Sequence, residues 1–401
     1  MNDYNRFLQL ISADKERMID RLIKWASINS ASDNYQGLEI MLQALVKDFS
    51  QLPGKLEILQ LPESLKALRI TCRQHAPIQI LFNGHMDTVY GKDHPFQICT
   101  KISDNILQGP GVADMKGGLV VMLEVLKTFE QSPWAKNIGW EVLIVPDEEI
   151  GSPNSVHLLE TAAKRNTLGL IFEPCLPDGS LVRSRKGVGT FTIDSHGIAG
   201  HAGRDFISQN NAIAGLCHFL NQVNELNNEF PKAIFNIGYI EGGGPVNIIP
   251  DRAIAKIGIR IDTHEEQVDI EKRLNQLMDS FNKEQKVQIE LTGHFSRPPK
   301  LPSPPINALY HEFEACGKEL DITLGWKDSG GASDGNNLAA AGLPNIDNLG
   351  VHGDNIHSDK EFIFLSSLVQ RAQLTTLFLM KLASGEIKLS KHLFPNQRDL
   401  L

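Results

Sequence analysis

Short apolar runs alternate with helix-like patterns along much of the chain, and this alternation restricts the fold more than any other feature. Residues 78–83, 140–145 and 168–172 are short, mainly apolar runs, which are typical of buried strands. Between the first two runs, apolar residues from 119 to 129 recur at helical spacing. The sequence therefore predicts an α/β fold in which a mostly parallel sheet is sandwiched by helices.

The pattern changes between residues 186 and 295, where the elements follow the order β-α-β-β-α-β of a ferredoxin-like α+β unit. The strand patterns lie at 188–195, 233–240, 253–261 and 287–291, and the helix patterns at 213–223 and 268–281. A proline-rich segment, 297–302, is typical of a stiff linker. We therefore predict one domain from residues 1–185 and 296–401, with a second domain, 186–295, inserted into it.

Charge and cysteine content limit the partners and the compartment. The 401 residues carry a formal net charge of -9, which argues against a nucleic-acid or membrane-surface partner, because both require a basic footprint. The five cysteines form no close pairs, which fits reduced thiols. With no signal-peptide-like or membrane-spanning stretch, we expect a cytoplasmic protein. Any bound metal must then be held by His, Asp and Glu.

Such residues follow the predicted strands or precede predicted helices. They occur in segments 84–89, 109–118, 147–149, 173–174 and 353–357. In open α/β sheets, ligands bind outside the carboxyl ends of the strands, so these segments are expected to converge. Ser358 and Glu361 have the spacing of a capping box, which predicts a helix directly after His357.

Carboxylates and imidazoles without thiolates favour Zn²⁺ in a hydrolytic site. Two metals fit the set better than one, because a lone cation would leave neighbouring carboxylates repelling one another. Each residue also has an ordinary alternative: a histidine after a strand is often structural, and Asp114 alone could be a helix N-cap. The predicted set is one bridging carboxylate, two terminal carboxylates and two imidazoles: Asp114, Glu149, Glu173, His85 and His357.

Five motifs make the chain resemble a known family over nearly its whole length. They are His85–Val89 with its Met-Asp-Thr centre, and residues 111–118, 147–152, 197–203 and 246–250. The resemblance is to the di-zinc carboxypeptidases and deacylases, which include glutamate carboxypeptidase, acetylornithine deacetylase, succinyl-diaminopimelate desuccinylase and the aminoacylases. Residues 185–187, 330–335 and 357–359 make glutamate carboxypeptidase the nearest member.

The resemblance implies a zinc-peptidase-like catalytic domain that holds two Zn²⁺ per subunit, with Co²⁺ or Mn²⁺ as alternatives. It implies that Asp114 bridges the metals, His85 and Glu173 complete one site, and Glu149 and His357 complete the other. It also implies a cis peptide bond after Asp114.

The catalytic residues are expected to be Glu148, Asp87 and His201. The resemblance makes Glu148 the general base, which therefore does not bind metal. Asp87 lies two residues after His85 and so on the same side, where it can hold the far imidazole nitrogen. His201 is expected to stabilise the oxyanion, reaching across from a second subunit of a homodimer formed through the inserted domain.

Substrate binding is assigned by the resemblance to Asn247, Arg260, Lys186, Gly331 and Ser333. Arg260 could instead be an exposed position on a sheet, but a guanidinium recognises a carboxylate with two hydrogen bonds. The implied activity is hydrolysis of an amide or peptide bond in a small peptide or N-acyl amino acid that carries a free carboxylate. The alternatives are an N-acyl amino acid deacylase, a zinc aminopeptidase and a catalytically silent zinc-binding scaffold.

Overall fold

The computed structural model describes residues 4–207 and 210–396. Its first elements are α1 (Asn5–Ala13), α2 (Lys15–Ala26), α3 (Tyr35–Phe49), β1 (Lys55–Gln60), β2 (Lys66–Cys72), β3 (Ile78–His85), β4 (Thr100–Ser103), β5 (Ile106–Gln108), α4 (Gly118–Glu130), β6 (Ile138–Val145), α5 (Val156–Arg165), β7 (Leu168–Ile171) and β8 (Leu181–Arg185). Then come β9 (Gly187–His196), β10 (Gly200–His201), α6 (Ala212–Glu229), β11 (Ile234–Gly242), β12 (Ile248–Ile249), β13 (Arg252–Ile261), α7 (His264–Glu284) and β14 (Gln288–Arg297). The last are α8 (Pro304–Glu319), β15 (Trp326–Ser329), α9 (Asp334–Ala340), β16 (Asn345–Ile346), β17 (Gly353–Asp354), β18 (Phe362–Phe364) and α10 (Ser366–Ser384).

The chain divides into two compact units. Unit 1 contains Met1–Ser184, Pro302–Ser329 and Ser333–Leu401, and unit 2 contains Arg185–Leu301 and Gly330–Ala332. The sequence predicted one domain at residues 1–185 and 296–401 and an inserted domain at 186–295. These boundaries of independently folding domains stay a prediction.

Unit 1 is built on a six-stranded sheet in the order β1-β2-β6-β3-β7-β16. The four strands β6, β3, β7 and β16 run parallel, whereas β1 and β2 pair antiparallel at one margin. Strands β3 and β6 are buried along almost their whole length. The mostly parallel sheet predicted from the sequence is confirmed, and burial on both faces explains why most residues of these strands are apolar.

The register of the central strands positions the polar residues that follow them. His85, the last residue of β3, lies opposite Val145 at the end of β6. Asn83 lies opposite Ile171 at the end of β7. Because these strands are parallel, the segments after β3, β6 and β7 all leave the sheet at the same edge.

A small antiparallel sheet in the order β17-β18-β5-β4 flanks this edge. Strand β18 pairs with β5, and β17 pairs with β18 across the segment 355–361. The pairing brings this late part of the chain back to Gly109, whose N–H donates to the carbonyl oxygen of Glu361 at 3.1 Å.

Unit 2 has a four-stranded antiparallel sheet in the order β11-β13-β9-β14, with α6 and α7 between its strands in sequence. This is the β-α-β-β-α-β order predicted from the sequence. Alternate residues of β13, such as Ala255, Ile257 and Ile259, are buried in a core shared with both helices. Where the chain enters and leaves the unit, Arg185 and Lys300 exchange two backbone hydrogen bonds of 3.0 Å.

Within the described ranges, none of the helices combines the length and the hydropathy that crossing a bilayer requires.

Candidate metal centre

Asp114 is presented by the irregular turn Val112–Gly117, directly before α4. Gly111 opens the turn with a φ of 69°, a left-handed conformation that favours glycine. The Asp114–Met115 peptide bond is cis, as the resemblance implied. Asp114 is only 8% exposed, so its carboxylate is held inside the unit by a turn rather than at the end of a strand.

The two oxygens of Asp114 face different histidines. Nε2 of His85 lies 3.1 Å from Oδ1, and Nε2 of His357 lies 3.4 Å from Oδ2. His85 is buried at the end of β3, whereas the side chain of His357 is 53% exposed. The carboxylate is therefore shared between two imidazoles that come from opposite ends of the sequence.

Three glutamates complete the cluster. Oε1 of Glu173 lies 3.7 Å from Nε2 of His85, and Oε2 of Glu149 lies 3.2 Å from Nε2 of His357. Glu148 approaches the first group as well, with Oε2 at 3.9 Å from Nε2 of His85. The structure thus brings the five predicted ligands and the predicted general base together at the edge of the sheet where β3, β6 and β7 end.

Burial and neighbouring charges shift the pKa values of the cluster. Burial raises the pKa of Glu173 to about 8. Burial and the nearby Asp114 charge raise the pKa of Glu149 well above its ordinary value. Hydrogen bonds to Asp114 and Glu149 raise the pKa of His357 to about 10. Burial alone would raise the pKa of Asp114, but the hydrogen bonds that it accepts from His357 and His85 lower it. Positive charge beside these buried carboxylates would therefore be favourable.

Asp87 connects the first histidine to the acidic turn. Nδ1 of His85 lies 3.0 Å from the carbonyl oxygen of Asp87 and 3.3 Å from Oδ1 of the same residue. The two carboxylate oxygens of Asp87 accept hydrogen bonds from the backbone N–H groups of Glu148 and Glu149, each at 3.1 Å. The Ser32 hydroxyl donates to Oδ2 of Asp87 at 2.8 Å. One fully buried carboxylate therefore fixes the backbone that carries both glutamates.

Five of the residues expected to act on the substrate lie in unit 2, and four of them are on the inserted segment Arg185–Leu301. His201 and Asn247 are exposed on neighbouring segments, and the carbonyl oxygen of Asn247 accepts the N–H of Ala202 at 2.9 Å. Lys186 donates to Asp262 and to a backbone carbonyl oxygen. Arg260 lies on β13, where burial lowers its pKa. Their catalytic and binding roles stay predictions.

The glycine-rich loop places its two predicted residues in different surroundings. Gly331 is exposed in unit 2, and its carbonyl oxygen accepts a hydrogen bond from Arg185 at 3.1 Å. Ser333 is buried in unit 1, where its hydroxyl donates to Asp347 at 2.9 Å and accepts the N–H of Gly335 at 3.1 Å. Ser333 is thus the N-cap of α9, and its role in substrate binding stays a prediction.

A comparison with protein families decides the identity of this fold and site. Residues 81–381 match the model of Peptidase family M20/M25/M40. The chain belongs to this family. Members of the M20 family are metal-dependent hydrolases, so the expected metallo-hydrolase is confirmed at this level.

Named M20 relatives cover most of the chain. Carboxypeptidase G2 of Pseudomonas sp. (strain RS-16) is 28% identical over 310 residues, which are 77% of this chain and 74% of the relative. Succinyl-diaminopimelate desuccinylase of Nitrosospira multiformis is also 28% identical, over 328 residues covering 77% of this chain and 84% of the relative. The M20 family metallo-carboxypeptidase Sso-CP2 of Sulfolobus solfataricus has a similar structure, with a TM-score of 0.75 at 16% identity, covering 90% of this chain and 98% of that one. These findings confirm the family and the fold and leave the substrate open.

The structure corrects the sequence interpretation of one segment of this M20 hydrolase. Ser358 and Glu361 do not begin a helix, since the chain turns there and continues into β18. The Glu361 carboxylate instead accepts N–H groups of the turn that carries Asp114. The capping-box prediction was wrong because it considered only local hydrogen bonding, and the partners of Glu361 lie about 250 positions upstream.

One basic residue near Arg260 was not singled out from the sequence. Arg297 on β14 and Arg260 on β13 both lie opposite Val188 of β9, so their side chains leave the same face of the sheet. The charge of Arg297 contributes to the lowered pKa of Arg260. In the sequence, Arg297 is the first residue of the proline-rich segment, which favoured a linker over a site.

Proposed function

We propose that this M20 hydrolase uses two Zn²⁺ ions to cleave the amide or peptide bond of a small substrate with a free carboxylate, as a carboxypeptidase of the glutamate-carboxypeptidase type. The observation that carries the proposal is the sharing of Asp114 between two imidazoles, each with its own glutamate. Two half-sites with a common carboxylate are what a pair of cations would need.

The residues present fit zinc. Ligands about 2.0–2.1 Å from a tetrahedral Zn²⁺ lie roughly 3.3 Å from one another. The four contacts between imidazole nitrogens and carboxylate oxygens in the two groups measure 3.1, 3.7, 3.4 and 3.2 Å. Oε1 of Glu149 is buried and has no hydrogen-bond partner among residues 4–207 and 210–396, which is costly unless a cation balances it. Co²⁺ or Mn²⁺ would suit the same oxygen-rich donors.

The proposed reaction is an acid–base hydrolysis that turns an amide and water into a carboxylate and an amine. When bound, the metal pair lowers the pKa of water to about 7 and polarises the scissile carbonyl. Glu148 accepts the proton that the attacking water releases and then delivers it to the leaving nitrogen. Asp87 keeps Glu148 in place through the backbone N–H of that residue. His201 donates to the oxyanion in this scheme.

The preference for a carboxylate is supported by the basic pair on one face of the unit 2 sheet. Arg260 and Arg297 are close enough for the charge of one to lower the pKa of the other, which makes a bound carboxylate favourable there. Asn247, Lys186, Gly331 and Ser333 remain the other proposed substrate-binding residues.

A homodimer through unit 2 is the proposed assembly. Strand β11 forms one margin of the described sheet, and apolar side chains on it are exposed, including Ile237, Tyr239 and Ile240. An open strand edge with apolar side chains favours pairing with a second copy.

A second candidate, an N-acyl amino acid deacylase, is favoured by one specific finding. The desuccinylase relative is as identical to this chain as the carboxypeptidase relative is. The two activities differ in the acyl half of the substrate, whereas the metal cluster and the carboxylate requirement would be common to both. A catalytically silent scaffold is disfavoured because Glu148 is present beside the cluster.

The test is a screen of peptidyl and N-acyl amino acids with the purified zinc-loaded protein, read by amine release. We expect turnover of substrates with a free α-carboxylate and none of their amides. Glu148→Gln should lower kcat by about 10²–10⁴-fold while the protein still binds two metal ions per chain. Metal stoichiometry of one or zero in the wild type, or full activity of Glu148→Gln, would refute the proposal.

A further inference from the structure

The buried carboxylate of Glu361 accepts hydrogen bonds from donors on two segments of the chain. Oε1 accepts the backbone N–H groups of Ala113 at 2.7 Å and Asp114 at 2.9 Å. Oε2 accepts the N–H of Gly111 at 3.0 Å and the hydroxyl of Tyr90 at 2.6 Å. Since all four partners donate, the position requires a group that only accepts, and a carboxylate is such a group whereas an amide is not. Glu361 therefore fixes the turn that presents Asp114.

The same residue also restrains the segment that carries His357. The N–H of Glu361 donates to the carbonyl oxygen of Ser358 at 3.1 Å, and the Tyr90 hydroxyl lies 2.9 Å from that oxygen. The N–H of Gly109 donates to the carbonyl oxygen of Glu361. His357 itself has a half-exposed side chain and a φ of 61°, so packing around its own ring restrains it little. The position of His357 therefore depends on the turn that Glu361 and Tyr90 stabilise.

We propose that Glu361 is a positioning residue that sets the separation between Asp114 and the His357 imidazole. It thereby controls the metal affinity of the half-site formed by Asp114, Glu149 and His357. This inference rests on the two-metal function proposed above. Two of these three ligands lie on segments that Glu361 holds.

The other half-site has a different support. It shares Asp114, but its other two ligands are fixed by the central sheet, since His85 is the last residue of the buried strand β3 and Glu173 follows β7. Loss of the Glu361 contacts should therefore weaken one metal equivalent much more than the other.

The experiment compares metal binding by Glu361→Gln with that by the wild type and by Glu124→Gln. Glu124 is a matched control, since it is also buried in unit 1 but pairs with Lys127 on α4. Each full-length protein is stripped with a chelator and titrated with Co²⁺, followed by visible absorption and calorimetry. We expect two equivalents in all three proteins. In Glu361→Gln, one equivalent should bind about 10–100-fold more weakly, and the other should weaken by a clearly smaller factor, because it shares Asp114 but not His357.

Tyr90→Phe provides a second variant in case Glu361→Gln does not fold, as judged by thermal unfolding of the metal-free protein. It removes one of the four donors and should weaken the same equivalent by a smaller factor. Unchanged affinities in these variants, or equal weakening of both equivalents, would overturn the role of Glu361. A wild type that binds fewer than two ions would instead refute the two-metal function.

Discussion

Replacing Gly118 by alanine should disable the site without touching a metal-binding side chain. A Cβ atom at Gly118 would lie 1.9 Å from the carbonyl oxygen of Phe172, whereas real Cβ contacts are at least 3.0 Å. The backbones must therefore separate by about 1.1 Å. Gly118 begins the helix that follows Asp114, and Phe172 precedes Glu173, so the change moves these two carboxylates apart.

The expected loss can be estimated from that displacement. A misplacement of about 1 Å costs roughly 10²-fold in rate, which corresponds to about 2.7 kcal/mol of transition-state stabilisation. The same clash overpacks a buried contact, which typically costs about 1–3 kcal/mol of folding stability. We therefore expect kcat/KM to fall about 10²-fold in the fraction of the protein that remains folded.

The assay is steady-state hydrolysis of a substrate found in the screen, with thermal unfolding measured in parallel. Gly91→Ala is the matched control, because a Cβ atom there meets no heavy atom within 4 Å. The reasoning fails if Gly118→Ala keeps the kcat/KM of the wild type and both metal affinities.

Three further predictions follow from the same structure. Arg260→Ala should raise KM for carboxylate substrates by about 10–100-fold with metal content unchanged, and an unaltered KM would remove this residue from substrate binding. Ile240→Lys, on the exposed face of β11, should weaken the dimer in sedimentation experiments, while Val268→Lys on α7 should not; a fully active monomer would contradict the proposed assembly. Chelation should lower the melting temperature, because an ion at 100 times its Kd adds about 2.7 kcal/mol per site to the folded state; equal melting temperatures with and without metal would count against a metal site in the folded protein.

The sequence predicted the central strands well because their physical environment leaves a strong local pattern. Strands β3, β6 and β7 are buried at nearly every position, so most of their residues are apolar. Strands β1 and β2 were not predicted. Strand β1 forms the margin of the sheet, and its positions are exposed or half-buried, which weakens the apolar signal. Strand β2 lies between β1 and β6, and Lys66 and Arg69 interrupt its apolar residues. Strands β17 and β18, of two and three residues, are too short to show any period.

The proposed metal ligands were also easier to predict from the sequence than the residues that position them. His85 and Glu173 could be found because each follows a recognisable strand. Glu361 could not be placed correctly, since its hydrogen-bond partners Gly111, Ala113 and Asp114 come together with it only through the pairing of β18 with β5. Local spacing favoured a helix cap, and long-range strand pairing decided otherwise.

The backbone ladder between Arg185 and Lys300 has a consequence for how such a protein can change over time. Antiparallel partners lie about 5 Å apart, so the point where the chain departs and the point where it returns nearly coincide. The more than one hundred residues between them could be replaced or shortened, because a tight turn would suffice to reconnect Arg185 to Lys300. Evolution could thus alter this module by local edits to the gene, leaving the parallel sheet on the other side of the junction intact.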